Sequence, residues 1–147
     1  MTEGNEQYRW HGTTRECNIG DPGKRGLCTS PRCAMCRIIG HSFDIGQRWG
    51  RFGKGIYSTA TSSKADGYSK TLTHSPWTAL LLTSVVVGDP CITYGDGPQI
   101  SHPPNGYDSI IGKPGSALNY DETVVYRKDA IRPVYLVLYL TPRPSLR

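Results

Sequence analysis

Four short pieces of the chain hold residue types that could work together on a dinucleotide. They supply an imidazole, a carboxylate, two phenol rings and several glycines that let a ligand approach the backbone. The pieces are Trp10-His11-Gly12-Thr13, Gly53-Lys54-Gly55-Ile56-Tyr57, Ser63 to Tyr68, and Asn119 to Tyr126. Each is weak alone. The Gly53 piece is no dinucleotide fingerprint, because Ser58 stands where the third glycine is required.

Taken together and in this order, the pieces resemble the catalytic domain of the poly(ADP-ribose) polymerase family. The similarity runs from about Tyr8 to about Leu140, and the segments Gly53 to Tyr68 and Glu122 to Leu136 are its most specific parts. The chain most resembles fungal proteins with a Cys-rich version of this domain. The resemblance implies an α+β fold, mainly an antiparallel split sheet with a few short helices. It also implies an enzyme that cleaves the nicotinamide–ribose bond of NAD and transfers ADP-ribose.

The resemblance implies a role for each matching residue. His11, Tyr57 and Glu122 form the catalytic set, with Glu122 hydrogen-bonding the nicotinamide ribose and stabilising an oxocarbenium-like transition state. Cofactor binding falls to residues that surround the dinucleotide, namely His11 and Thr13 at the adenosine ribose, Gly12 at the carboxamide, Tyr57 and Tyr68 around the nicotinamide ring, and Ala65. A carboxylate beside developing positive charge is a common electrostatic device in catalysis.

Ala65 departs from the family pattern. Many family members have a serine there whose hydroxyl donates to the nicotinamide carboxamide, and one such bond contributes roughly 0.5–1.5 kcal/mol. NAD affinity is therefore expected to be weaker, with Ser62, Ser63 or Ser69 as possible replacements.

Simpler interpretations of the same residues stay open. The tyrosines could be core residues at a loop edge, and Glu122 could be a solvated residue at a strand end beside Asp121. Under that view the chain is a catalytically weak module that is stabilised by zinc and binds NAD or ADP-ribose. Ala65 would then indicate that catalytic turnover has been lost.

Four of the five cysteines suggest a metal site. Cys33 and Cys36 have the spacing of a zinc half-site, and Cys28 and Cys17 precede them in a polar, Gly-rich loop. We expect a structural zinc that shapes one wall of the NAD cleft. His41 is a possible substitute ligand, and reduced, unligated thiols are the alternative. Cys91 is expected to be a free thiol.

The elements that must position these residues are short. Strands are predicted at Tyr8 to His11, Leu80 to Val87, Thr123 to Tyr126 and Val134 to Leu140. Helices are predicted from Pro31, capped by Ser30, to Gly40 and from Ser62 to Lys70. Loops are predicted at Cys17 to Thr29, Gly46 to Gly55 and Gly95 to Ser116.

The 147 residues fit one domain, expected at 8–140, with a flexible start at 1–7 and a tail at 141–147. No run of apolar residues could cross a membrane and the start has no signal-peptide pattern, so an intracellular location, cytoplasmic or nuclear, is expected.

The sequence says less about the acceptor of ADP-ribose than about the reaction. The short Gly46 to Gly53 loop favours transfer of single ADP-ribose units, and a protein acceptor is expected. The formal net charge of +5 keeps nucleic acid possible as a partner, with RNA or DNA ends as alternative acceptors.

Overall fold

A computed structural model describes residues 4–46, 50–95, 97, 100–115 and 118–141. In chain order the elements are β1 (Glu6–His11), β2 (Thr14–Arg15), α1 (Ala34–His41), β3 (Ile56–Ser58), α2 (Ser62–Asp66), β4 (Lys70–Thr71), β5 (Trp77–Val86), β6 (Pro90–Thr93), β7 (Ser109–Gly112), β8 (Glu122–Val125), a 3₁₀ turn (Lys128–Ala130) and β9 (Ile131–Leu140).

The strands form two main sheets. One is antiparallel with the order β1-β5-β9, and the other has the order β3-β8-β7-β6, in which only β6 and β7 run parallel. A small parallel pair joins β2 to β4. An isolated bridge connects the main sheets, since the backbones of Trp10 and Thr59 exchange hydrogen bonds of 2.7 and 3.0 Å. The predicted α+β split-sheet fold with few helices is confirmed.

Two apolar clusters hold the sheets in place. The larger packs α1 against β5 and β9 through residues such as Met35, Leu81 and Ile131. The smaller surrounds Phe52 and includes Val124 of β8. All four residues of β8 are buried, so the strand that begins at Glu122 is rigidly packed from its first residue.

The predicted long loop from Gly95 to Ser116 is wrong in part, because β7 lies inside it. Its Ser-Ile-Ile-Gly sequence is too short to stand out among glycines and prolines. The strand forms because β6 and β8 pair with it on both edges. Residues 96, 98, 99 and 116 of the predicted loop lie outside the described residues, as do 1–3 of the predicted flexible start, 47–49 of the predicted Gly46 to Gly55 loop and 142–147 of the predicted tail.

The predicted helix starts are also corrected. Helix α1 begins at Ala34 with Cys33 as its N-cap residue, so Ser30 lies three residues before the cap. The Ser30 hydroxyl donates to the Glu16 carboxylate and accepts from the Arg32 amide. Helix α2 is N-capped by Thr61, which makes no side-chain capping bond, and it ends at Asp66 before Gly67. Both helices are short and lack side-chain caps, so tertiary contacts must stabilise them.

Within the described ranges, none of the helices has the length and apolar character needed to cross a membrane.

Candidate active site and cysteine cluster

A cavity of about 730 Å³ lies where β1, β3, α1 and α2 meet. All of the residues predicted for catalysis or cofactor binding line it: His11, Gly12, Thr13, Tyr57, Ala65, Tyr68 and Glu122. They come from distant parts of the sequence, so the fold is what brings them to one cavity.

His11 is the last residue of β1 and lines the cavity. Its Nδ1 lies 2.8 Å from the carbonyl oxygen of Tyr57, so that nitrogen carries the hydrogen and Nε2 remains an acceptor toward a ligand. Its ring also contacts Phe43 edge-on, with centroids 4.9 Å apart. Desolvation lowers the pKa of His11, although the Tyr57 carbonyl opposes this, so the neutral imidazole is favoured.

Tyr57 ties the preceding loop to β3. Its hydroxyl accepts a hydrogen bond from the Phe52 amide at 3.0 Å and donates one to the Gly53 carbonyl at 2.7 Å. Burial raises the pKa of Tyr57, so the hydroxyl stays protonated and can donate. Its ring is thereby fixed at the cavity wall. Tyr68, in contrast, is 65% exposed at the cavity mouth.

Gly12 and Ala65 meet across the cavity floor. A Cβ at residue 12 would overlap with the carbonyl oxygen of Ala65, so only glycine allows β1 and α2 to approach this closely. The Ala65 side chain is buried. Ser69, one possible replacement for the missing serine, donates its hydroxyl to the Ala79 carbonyl at 2.9 Å and is committed there. Ser62 and Ser63 are exposed on α2.

Glu122 presents its carboxylate to the cavity from the first position of β8. The residue is only 8% exposed. Its Oε1 accepts a hydrogen bond from Lys64 Nζ at 2.8 Å, whereas Oε2 is buried and is the one such side-chain atom without a partner among the described residues. An unsatisfied carboxylate oxygen costs free energy in the free protein, so a ligand donor in the cavity would relieve it.

Asp121 fixes the entry to β8. Its carboxylate accepts hydrogen bonds from the Ala60 amide at 2.7 Å, the Thr59 hydroxyl at 2.9 Å and the Thr61 hydroxyl at 2.8 Å. Burial opposes ionisation of this carboxyl, but these donors lower the pKa of Asp121. The residue before Glu122 is thus anchored to the chain that leads into α2.

Lys64 is a cavity residue that sequence reasoning missed. Its ammonium holds Glu122 from α2, and its side chain is 14% exposed. A lysine between a serine and an alanine on a short helix is usually solvated, so its position before Ala65 gave only a weak signal.

Four cysteines converge at the start of α1: Cys17, Cys28, Cys33 and Cys36. Their sulfur atoms all lie within 4.8 Å of one another. Cys17 Sγ is 3.9 Å from Cys33 Sγ and 3.4 Å from Cys36 Sγ. Sulfur ligands at about 2.3 Å around a tetrahedral zinc would be about 3.8 Å apart, so the donor set fits that ion.

Backbone amides support the cysteine cluster. The amides of Glu16 and Cys28 each donate to a sulfur at 3.3 Å, the first to Cys33 and the second to Cys36. Although burial opposes ionisation, neighbouring hydrogen bonds lower the pKa of Cys33 to about 6. His41 is exposed at the far end of α1 and is outside the cluster. Cys91 is a free thiol, as expected.

Comparison with known proteins first gives the class. A protein mono-ADP-ribosyltransferase PARP3 from Gallus gallus is 38% identical over 102 residues, which cover 69% of this chain and 16% of that protein. Its namesake from Mus musculus is 30% identical over 112 residues, or 75% of this chain and 18% of that protein. The chain therefore spans less than a fifth of the length of these relatives. Both relatives are named as protein mono-ADP-ribosyltransferases.

The particular family follows from a family model. The chain belongs to the poly(ADP-ribose) polymerase catalytic domain family, whose model matches residues 1–118. Membership in this family, which uses NAD as substrate, confirms the resemblance that the sequence motifs indicated. Glu122 lies just beyond the matched range, and its place in the cavity is a finding of the structure.

Proposed function

We propose that this domain cleaves the nicotinamide–ribose bond of NAD and transfers single ADP-ribose units to a protein acceptor. The observation that carries the proposal is the Glu122 carboxylate, which is buried and has one unpartnered oxygen in a cavity shared with His11 and Tyr57. A carboxylate fixed by a packed strand is suited to stabilise positive charge that develops on a ribose.

In this proposal each wall of the cavity has a part in binding. Tyr57 and Tyr68 flank the nicotinamide ring, where electron-rich faces attract its positive charge. The Gly12 backbone binds the carboxamide, while His11 and Thr13 hydrogen-bond the adenosine ribose. Glu122 accepts a hydrogen bond from the nicotinamide ribose. Because Ala65 has no hydroxyl, the carboxamide loses one donor and NAD binding is weakened.

Transfer of single units to protein is supported by the names of the two relatives, both of which are called protein mono-ADP-ribosyltransferases. Incubation of the protein with NAD labelled in its ADP-ribose part and a mixture of acceptor protein and oligonucleotide tests both parts of this proposal. We expect discrete labelled protein bands. A ladder of increasing length would contradict single-unit transfer, and label on the oligonucleotide alone would contradict the protein acceptor.

The Glu122→Gln substitution tests catalysis because it keeps the shape of the side chain and removes its charge. We expect nicotinamide release from NAD to fall roughly 10²–10³-fold in kcat, as for removal of a key electrostatic group. Glu6→Gln is the matched control, since Glu6 is exposed and lies outside the cavity. Equal turnover of the Glu122→Gln variant and the wild type would refute the proposal.

We also propose that the cysteine cluster binds one structural zinc ion through Cys17, Cys28, Cys33 and Cys36. The support is the convergence of four sulfur atoms at a spacing that fits tetrahedral coordination. The loop before α1 contributes few apolar side chains to the core, so a metal would stabilise it. Zinc would hold the first turn of α1, whose next residues Arg37 and Ile38 line the cavity.

Metal analysis of the purified protein tests the zinc proposal. We expect about one zinc per chain, and loss of that zinc together with a large fall in unfolding free energy in Cys33→Ser. Cys91→Ser is the control, because Cys91 is outside the cluster. A wild-type protein that is folded and free of metal would contradict the proposal.

A further inference from the structure

The cavity is also lined by α1 and by the segment that follows it. Arg37 of α1 lines it together with Phe43 and Asp44, and the Phe43 ring contacts the ring of His11. If the nicotinamide ribose lies at Glu122 and the adenosine ribose at His11, as proposed above, the part of the dinucleotide that joins the two riboses must lie between these residues. That part carries the two phosphates, which require hydrogen-bond donors or cations.

Among the residues that the structure describes, three cationic side chains line the cavity: Arg37, Arg51 and Lys64. Lys64 is committed to Glu122 at 2.8 Å. Arg51 has interactions of its own elsewhere in the chain. Arg37 is exposed, and in the described part of the chain its guanidinium makes a single hydrogen bond, from Nη1 to the Pro31 carbonyl at 3.2 Å.

The position of Arg37 on α1 directs it to the cavity. Ala34, Arg37 and Ile38 are spaced three and four residues apart, so they share one face of the helix, and all three line the cavity. The Asp44 carboxylate, which also lines the cavity, pairs with Lys128 Nζ at 3.6 Å. The planar guanidinium has five N–H donors, and it suits bidentate contact with phosphate oxygens.

We infer that Arg37 is the side chain that binds the pyrophosphate of the dinucleotide. The inference rests on the proposed function for the orientation of NAD. It assigns Arg37 to binding and not to bond cleavage, since the phosphates keep their charge throughout the reaction. Arg37 should therefore stabilise the bound ground state and the transition state equally.

The test compares Arg37→Ala with Arg32→Ala, whose arginine is also exposed but pairs with Glu16 outside the cavity. For Arg37→Ala we expect KM for NAD to rise roughly tenfold or more, as for loss of a charged hydrogen bond, and kcat to stay within about twofold. Affinity for ADP-ribose, measured by calorimetry, should fall by the same factor, whereas inhibition by nicotinamide should not change. Arg37→Lys should recover part of the loss.

Three outcomes would overturn the inference. An unchanged KM and ADP-ribose affinity would show that Arg37 does not contact the phosphates. Equal losses for ADP-ribose and nicotinamide would indicate a collapsed wall, and an equal loss in Arg32→Ala would indicate a general charge effect. ADP-ribose titration also separates this inference from the proposed function, because a wild type that binds ADP-ribose without releasing nicotinamide from NAD refutes only the latter.

Discussion

Two buried ion pairs of equal length lie in different regions of the molecule. Arg15 and Asp21 join β2 to the cysteine-rich loop at 2.8 Å, and their side chains are 1% and 11% exposed. Lys64 and Glu122 join α2 to β8 at 2.8 Å, and their side chains are 14% and 10% exposed. The pairs differ in what surrounds them.

The Arg15 pair is saturated with hydrogen bonds. Its guanidinium also donates to the carbonyls of Ile19 at 2.7 Å and Trp77 at 2.9 Å, and the second oxygen of Asp21 accepts from the Ser75 hydroxyl at 2.6 Å. The Lys64 pair leaves one buried oxygen of Glu122 without a partner among the described residues, and Lys64 and Glu122 both line the cavity. A saturated pair maintains a fold, whereas an unsaturated pair beside a cavity is prepared for a ligand.

Breaking the saturated pair should have the larger effect on stability. Arg15→Met leaves Asp21 buried with a charge and without its main partner, which typically costs about 3–5 kcal/mol of unfolding free energy. The loss also frees two carbonyls that Arg15 now satisfies. Urea unfolding followed by circular dichroism measures the change.

Arg32→Ala is the control for this prediction, because its pair with Glu16 also has a length of 2.8 Å but Arg32 is 73% exposed. Exposed pairs contribute about 0–1 kcal/mol, so this variant should unfold almost as the wild type does. Similar losses in the two arginine variants would show that burial and saturation do not distinguish the pairs.

Much of the fold and of the candidate site could be anticipated from the sequence, but only where local patterns or the family resemblance carry the information. Local patterns predicted the strand at β1 and the long apolar strands. The order of the motifs, through the family resemblance, predicted that Gly12, Tyr57 and Glu122 converge. The cysteine cluster followed from spacing. Family resemblance supplied the roles that residue types alone could not.

The remainder depends on contacts between distant residues. Strand β7 forms in a Gly- and Pro-rich segment because two neighbours pair with it. Ser30 does not cap α1, because the helix starts only at Ala34, and the Ser30 hydroxyl instead links this turn to Glu16, 14 residues earlier. Lys64 reaches Glu122 across 58 positions of sequence, which no local pattern on α2 indicates.

Breaking the unsaturated pair should affect chemistry more than stability. In Lys64→Met the Glu122 carboxylate loses its ion-pair partner, but the cavity can admit water, so we expect a loss of about 1–2 kcal/mol, well below that for Arg15→Met. Without the ammonium, the Glu122 carboxylate is no longer held in the position in which the proposed function requires it. We therefore expect kcat for nicotinamide release to fall roughly tenfold, which corresponds to about 1.4 kcal/mol, with little change in KM.

Lys64→Arg and a double-mutant cycle make this prediction specific. The arginine variant keeps the charge and should retain more activity than Lys64→Met. Combining Lys64→Met with Glu122→Gln should recover stability relative to Lys64→Met alone, because no unpaired charge remains in the double variant. Additive stability losses would mean that the two side chains are not coupled. Unfolding free energy could also fall as much in Lys64→Met as in Arg15→Met. The unpartnered oxygen of Glu122 would then make no difference to the response of its pair, and both pairs would serve only the fold.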